Sequence, residues 1–312
     1  IGLISFSFFF HKLKLNKDYI LLITLIFFLS SALFILKNHD DFSYYHLTYS
    51  LGLTENKIQL GLGNFGHGYR HHSSLFYLNS LIFLPYIKFY LFHSIGFITL
   101  IFVNFICLNF IFNKKEFKNF NYLYIFYLLV FAYINVKFYR LGEYGTDIAA
   151  QLIVLILIPL ILITLKKNLN KSDFKSNIQL LILFICYLIT VKTYLIVYIL
   201  FLFLILILYY NNSHVIKLFF ISRTTIIAGL ILILYSLLNL SYTGCVVYPL
   251  KETCFSKQLS WALTQEKVGK MKIWYEQWSK GGASLHHRVE NPEKYIKGFN
   301  WTKDWINIYF FN

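Results

Sequence analysis

Asp40 and Asp41 stand side by side in NHDDFSYYHL (38–47), directly after the apolar run YILLITLIFFLSSALFIL (19–36). A carboxylate in a partly dry pocket has a raised pKa and can act as a general base, so the pair are candidate catalytic groups. The same oxygens can help hold a hard divalent cation such as magnesium or manganese. Glu143 and Asp147 in RLGEYGTD (140–147) are four apart. On a helix they would share a face and, with Asp41, complete an oxygen-rich metal site. Cations accompany these acids. Arg70 lies in GNFGHGYRHHSS (63–74), Arg140 precedes Glu143, and Lys192 interrupts LITVKTYL (188–195). Arginine offers phosphate a planar fork and lysine a point charge, so all three are candidate substrate contacts, with His46 and His71 beside them. His67, His71 and His72 also suggest zinc, but HExxH is missing and the glycines leave the loop geometry unfixed. Any one of these groups alone reads equally as an interfacial charge, and Lys192 as a snorkelling lysine. Recurrence at the mouths of successive spans favours a shared site.

The elements that must position them are membrane spans. The chain is 57% hydrophobic and 14% charged, whereas a soluble domain carries roughly 25% charged residues. Its apolar residues form long blocks in place of periodic stripes. The net charge of +15 comes from lysines between those blocks, where anionic headgroups meet them, and no basic-aromatic array points to nucleic acid. Spans are expected at 19–36, 89–112, 120–136, 148–165, 178–190, 193–210 and 224–240, and helices are the default in lipid. IGLISFSFFF (1–10) reads as the tail of a preceding membrane segment. Residues 11–240 form the membrane domain and 241–312 an external segment. HKLKLNKD (11–18), NKKEFK (113–118) and KKNLNKSDFK (166–175) are strongly basic and face the cytoplasm by the positive-inside rule. The loops holding the acid groups then face outward.

Residues 178–210 would make one helix about 50 Å long, against a hydrocarbon core of ~30 Å. A hairpin turning at Lys192 resolves this and puts that cation on the side of the aspartates. SLFYLNSLIF (74–83) is amphipathic and is expected at the interface or as a re-entrant piece. Cys107 and Cys186 fall within spans, where a thiol is a small apolar group. Cys245 and Cys254 flank Pro249 in GCVVYPLKETC (244–254) and can close a short loop, which an oxidising compartment would join.

This arrangement resembles the membrane glycosyltransferases of the GT-C class, which use polyprenyl-phosphate sugars. The DD pair at 40–41 matches the acidic motif of their first external loop, and Glu143 with Asp147 the acidic position between the third and fourth spans. DDFSYYHL, GHGYRHHSS, GTDIAAQ and GCVVYPLKETCF are together similar to a group of bacterial multi-pass proteins tied to surface-polysaccharide synthesis. The resemblance implies an all-α, polytopic transmembrane helix bundle with a long external first loop and a largely helical external C-terminal segment. It implies inverting transfer of a sugar from a polyprenyl-phosphate donor to a cell-envelope glycan or lipid acceptor. The reaction would take place on the external face of the bacterial cytoplasmic membrane, without an organic cofactor. Asp41 would be the base or metal-linked carboxylate, with Asp40 beside it. Three other readings stand beside this one: a transporter or flippase of lipid-linked glycans, an oligosaccharide polymerase or ligase, and a structural membrane subunit. Pseudo-symmetric halves with mid-membrane charges would favour the transporter, and arginine pairs on one external cavity the polymerase or ligase.

Overall fold

The computed structural model describes residues 17–30, 41–92, 94–112, 121–137, 145–165, 169–209, 213–283 and 288–311. Their regular elements are helical, with three isolated β-bridges among the described residues. The chain divides into two compact units, residues 1–55 with 73–229 and residues 56–72 with 230–312.

The first unit begins with α1 (Lys17–Leu29), α2 (Leu47–Glu55) and the short α3 (Ser74–Ser80). It continues with α4 (Ser94–Phe112), α5 (Asn121–Lys137), α6 (Thr146–Thr164) and α7 (Lys171–Val191). α8 (Ile199–Leu208) and α9 (Ser213–Ile221) follow, and α10 (Arg223–Thr243) runs on into the second unit. Among the described residues, α4, α6, α7 and the stretch Val215–Thr243 are long and apolar enough to cross a membrane. The helices at Tyr122–Lys137 and Thr193–Leu208 are apolar but shorter. The protein is a polytopic helical membrane protein.

Span boundaries shift for local reasons. α7 starts at Lys171, seven residues before the apolar run, because Asn170 caps it by accepting the Asp173 N–H at 2.8 Å. Asp173 in that first turn also meets the positive end of the helix dipole. α4 starts only at Ser94, because the chain after Pro85 forms successive turns, with Lys88 at φ 54°. The last span extends back to Val215 with a bend at Ser222, whose hydroxyl accepts the Thr225 N–H. Residues 31–36 of the first expected span lie outside the described residues.

At Lys192 the backbone turns extended (φ −145°, ψ 110°) while its N–H still closes the last turn on the Leu188 carbonyl. Residues 193–198 then form a 3₁₀ turn that packs against α7, and α8 continues from it. The long apolar stretch is therefore a hairpin broken at Lys192. The amphipathic stretch yields only the seven-residue α3, with Ser73 as N-cap, and Leu75 and Phe76 are buried.

α4 packs against α5, α1 and α6, and α6 against α7. Between α4 and α5 the glue is polar: Asn135 donates to the Asn104 side-chain oxygen at 2.7 Å, and Asn104 is fully buried. In lipid, such contacts add what apolar packing cannot, because the lipid tails are as apolar as leucine.

In the second unit, the Cys245 and Cys254 sulfurs are bonded, closing a turn that contains Tyr248. Cys245, Tyr248, Leu263 and Val268 form its buried centre. Gly244 is required there. Its φ is 76°, and a Cβ would come within 2.1 Å of the Ala262 Cβ. α11 (Gln265–Ser279) is capped by Thr264, and α12 (Pro292–Ile296) and α13 (Thr302–Ile306) follow.

N135A leaves the buried Asn104 oxygen without its donor and is expected to destabilise the detergent-solubilised protein by about 1 kcal/mol. N104L/N135L removes both polar groups and is expected to recover most of that loss. Thermal unfolding of the three variants measures it.

Candidate functional site

Asp41 precedes the helical turn Phe42–His46, which feeds α2. One turn later the Tyr45 hydroxyl donates to the Asp41 carboxylate at 3.5 Å, a long contact. Burial raises the Tyr45 pKa well above the ordinary tyrosine value, and the charges of Asp41 and Asp147 raise it further. Two carboxylates from distant parts of the sequence thus bear on one hydroxyl, and Tyr45 stays a neutral donor.

Asp147 sits in the first turn of α6, where the helix dipole favours a negative charge. Lys192 reaches it with Nζ at 2.9 Å from Oδ1. No acid lies within ten residues of Lys192 in the sequence, and its anion comes from the start of another helix. A phosphate bound at Lys192 would share it with Asp147. The pair is half open to solvent, with side-chain exposures of 22% and 57%, so its own contribution to stability is small.

A cleft of about 350 Å³ lies next along the chain from both members of the pair. Ala150, Gln151, Val154 and Leu155 of α6 line one part, and Tyr194, Leu195 and Tyr198 after Lys192 another, with Tyr133 of α5. This volume falls in the range of small-molecule sites. His46 is buried, its ring 4.3 Å from the Tyr45 ring and 5.4 Å from Phe76, so aromatic packing fixes it. Asp40, Arg140 and Glu143 lie outside the described residues. Of the metal set Asp41, Glu143 and Asp147, the structure therefore describes two members. Among the described residues, no three histidine, cysteine or acidic side chains are grouped to hold a metal ion.

Arg70 and His71 belong to the second unit. Arg70 is buried, its Nε donating to the Gly63 carbonyl at 3.0 Å. Of the histidines of GHGYRHH, His67 and His71 stay together, their rings 5.6 Å apart, while His72 turns elsewhere. His67 packs its ring 4.8 Å from Trp274, His71 Nε2 meets the Tyr275 hydroxyl, and His72 Nδ1 bonds the Asn239 oxygen at 2.9 Å. Among the described residues these histidines are not grouped with a third ligand to hold a metal ion. The segment instead seats on the aromatic residues of WYEQW in α11, a partnership that no local spacing announces.

A family model described as Domain of unknown function (DUF8201) matches residues 3–312. The chain belongs to the DUF8201 family. Searches of the curated proteins and of the solved structures each gave no match. The match runs through both units of this DUF8201 protein, so the helices and the histidine-aromatic unit belong to one family pattern.

Burial lowers the His72 pKa to about 3, with the Asn239 hydrogen bond opposing. The folded protein keeps His72 neutral, while the unfolded chain takes a proton below its pKa of about 6.5. The stability linked to His72 is therefore complete above that value and is lost as pH falls towards 3. Between pH 7 and pH 5 this group is expected to cost the wild type about 2 kcal/mol that H72Q does not lose. Unfolding of both proteins at the two pH values measures the difference.

Proposed function

We propose that this DUF8201 protein is a membrane glycosyltransferase. It moves a sugar from a polyprenyl-phosphate donor to a cell-envelope glycan or lipid acceptor on the external face of the bacterial cytoplasmic membrane. The observation that carries this reading is the convergence of Asp41 and Asp147 on Tyr45, with Lys192 on Asp147, beside an apolar, tyrosine-lined cleft. A polyprenyl phosphate has an apolar chain and an anionic head. The cleft suits the first, and a cation at its end suits the second.

In the proposed reaction Asp41 takes the proton of an acceptor hydroxyl, whose oxygen attacks the anomeric carbon. The bond from that carbon to the donor phosphate oxygen breaks, and the negative charge left on the phosphate meets Lys192. Tyr45 orients Asp41 through its hydroxyl. Asp40 would tune its neighbour. Asp41, Glu143 and Asp147 would supply oxygens to magnesium or manganese, which would neutralise further phosphate charge.

D41N keeps the side-chain size and removes the charge. Transfer from a polyprenyl-phosphate sugar by purified protein is expected to fall by roughly 10²–10⁴-fold at unchanged protein level. K192Q is expected to raise KM for the donor more than it lowers kcat. Wild-type transfer by D41N would reject the role of Asp41. Donor flipping without any transfer would turn the reading to a transporter.

A further inference from the structure

Arg70 is 7% exposed and always charged, yet among the described residues no carboxylate pairs with it. Residues 56–72, NKIQLGLGNFGHGYRHH, contain no Asp or Glu. A buried guanidinium without a counter-anion is costly unless something supplies one. Its Nε is engaged by the Gly63 carbonyl, which leaves the outer N–H groups of the fork.

Beside that fork runs a chain of hydroxyl and ring-nitrogen groups, Tyr248, Tyr275 and His71. The Tyr248 hydroxyl lies against Arg70. Burial raises the Tyr248 pKa, while its hydrogen bond to Tyr275 and the nearby guanidinium counter the rise. Tyr248 and Tyr275 hydroxyls are 3.3 Å apart, and Tyr275 meets His71. Arg70 and Tyr248 are buried whereas His71 and Tyr275 are half-buried, so the cluster has a deep cationic floor and a more open rim. Past the rim, Trp274 and Trp278 lie 5.5 Å apart with planes at 31°, and Trp278 is 45% exposed. Aromatic faces of this kind take the apolar C–H face of a pyranose ring.

We infer that the second unit carries an oxyanion site with Arg70 at its floor and Tyr248, Tyr275 and His71 around it, which takes the carboxylate or phosphate of an acidic saccharide. The inference goes beyond the transferase reading and does not depend on it.

Calorimetric titration of the full chain in detergent, at constant ionic strength, tests it. The probes are trigalacturonate, a neutral galactose trisaccharide and inorganic phosphate. Wild type is expected to bind at least one of the two anions saturably and the neutral sugar about 10-fold more weakly or worse. Binding of trigalacturonate alone assigns a carboxylate, and of phosphate alone a phosphate group; both support the site. R70Q is expected to weaken binding by about 10-fold or more and Y248F by roughly 3- to 10-fold, while D41N changes nothing. Absence of saturable anion binding by wild type overturns the site, as does unchanged binding in folded R70Q. Should R70Q not fold, Y248F decides, because unchanged affinity in that variant overturns the site equally. Binding that survives in D41N while transfer is lost keeps the two proposals apart.

Discussion

A lysine at the break of a membrane hairpin must find water or an opposite charge, and Lys192 finds Asp147 at 2.9 Å. Much of the first unit follows from that pairing. The backbone can leave helical hydrogen bonding only where its polar groups meet other partners, so the apolar stretch breaks at Lys192 and packs back on α7. Asp147 in turn has to occupy the first turn of α6, where the helix dipole favours it. The contact draws the start of α6 to the end of α7. One turn further on, the residues after each partner leave the tyrosine-lined cleft between them. Asp41 enters through Tyr45, whose hydroxyl stays protonated because burial and two carboxylates oppose its ionisation.

The second unit holds together by other means. Its centre is small, built from Tyr248, Leu263 and Val268 around the Cys245–Cys254 bridge. A segment with so little apolar surface gains from a covalent closure that limits its unfolded states. Gly244 lets the chain leave α10 against Ala262, and the histidine-rich segment seats on α11 through rings rather than through aliphatic packing. His72 illustrates the cost of that choice. It is buried, neutral and tied to Asn239, and acid weakens whatever depends on it.

What the sequence made legible was whatever is written locally. Block hydropathy marked the membrane helices, and chain length against bilayer thickness required the turn at Lys192. Boundaries moved where short-range chemistry overruled hydropathy, as with the Asn170 cap that carries α7 into a polar segment. The side of the membrane shared by Lys192 and Asp147 was legible from the charge rule, but their pairing was not, because it takes the packing of α6 on α7 to bring them together. The same limit applies to GHGYRHH. Its spacing suggested ligands, and His67 and His71 do stay together, but their partners in α11 lie some two hundred residues away. Arg70 was legible as a cation with an anion to find, but not as a buried one.

On the proposed reading, the polar groups at the ends of α6 and α7 form one mouth, open to the outside of the cell. K192C and D147C, placed together in a chain whose four native cysteines are replaced by alanine, test both parts at once. The probe is a short membrane-impermeant bis-maleimide applied to intact cells, and a protease site inserted between residues 166 and 170 then splits the chain. The two fragments are expected to remain joined after cleavage. Fragments that separate although both cysteines react would contradict the convergence, and cysteines that react only after the cells are permeabilised would contradict the external face.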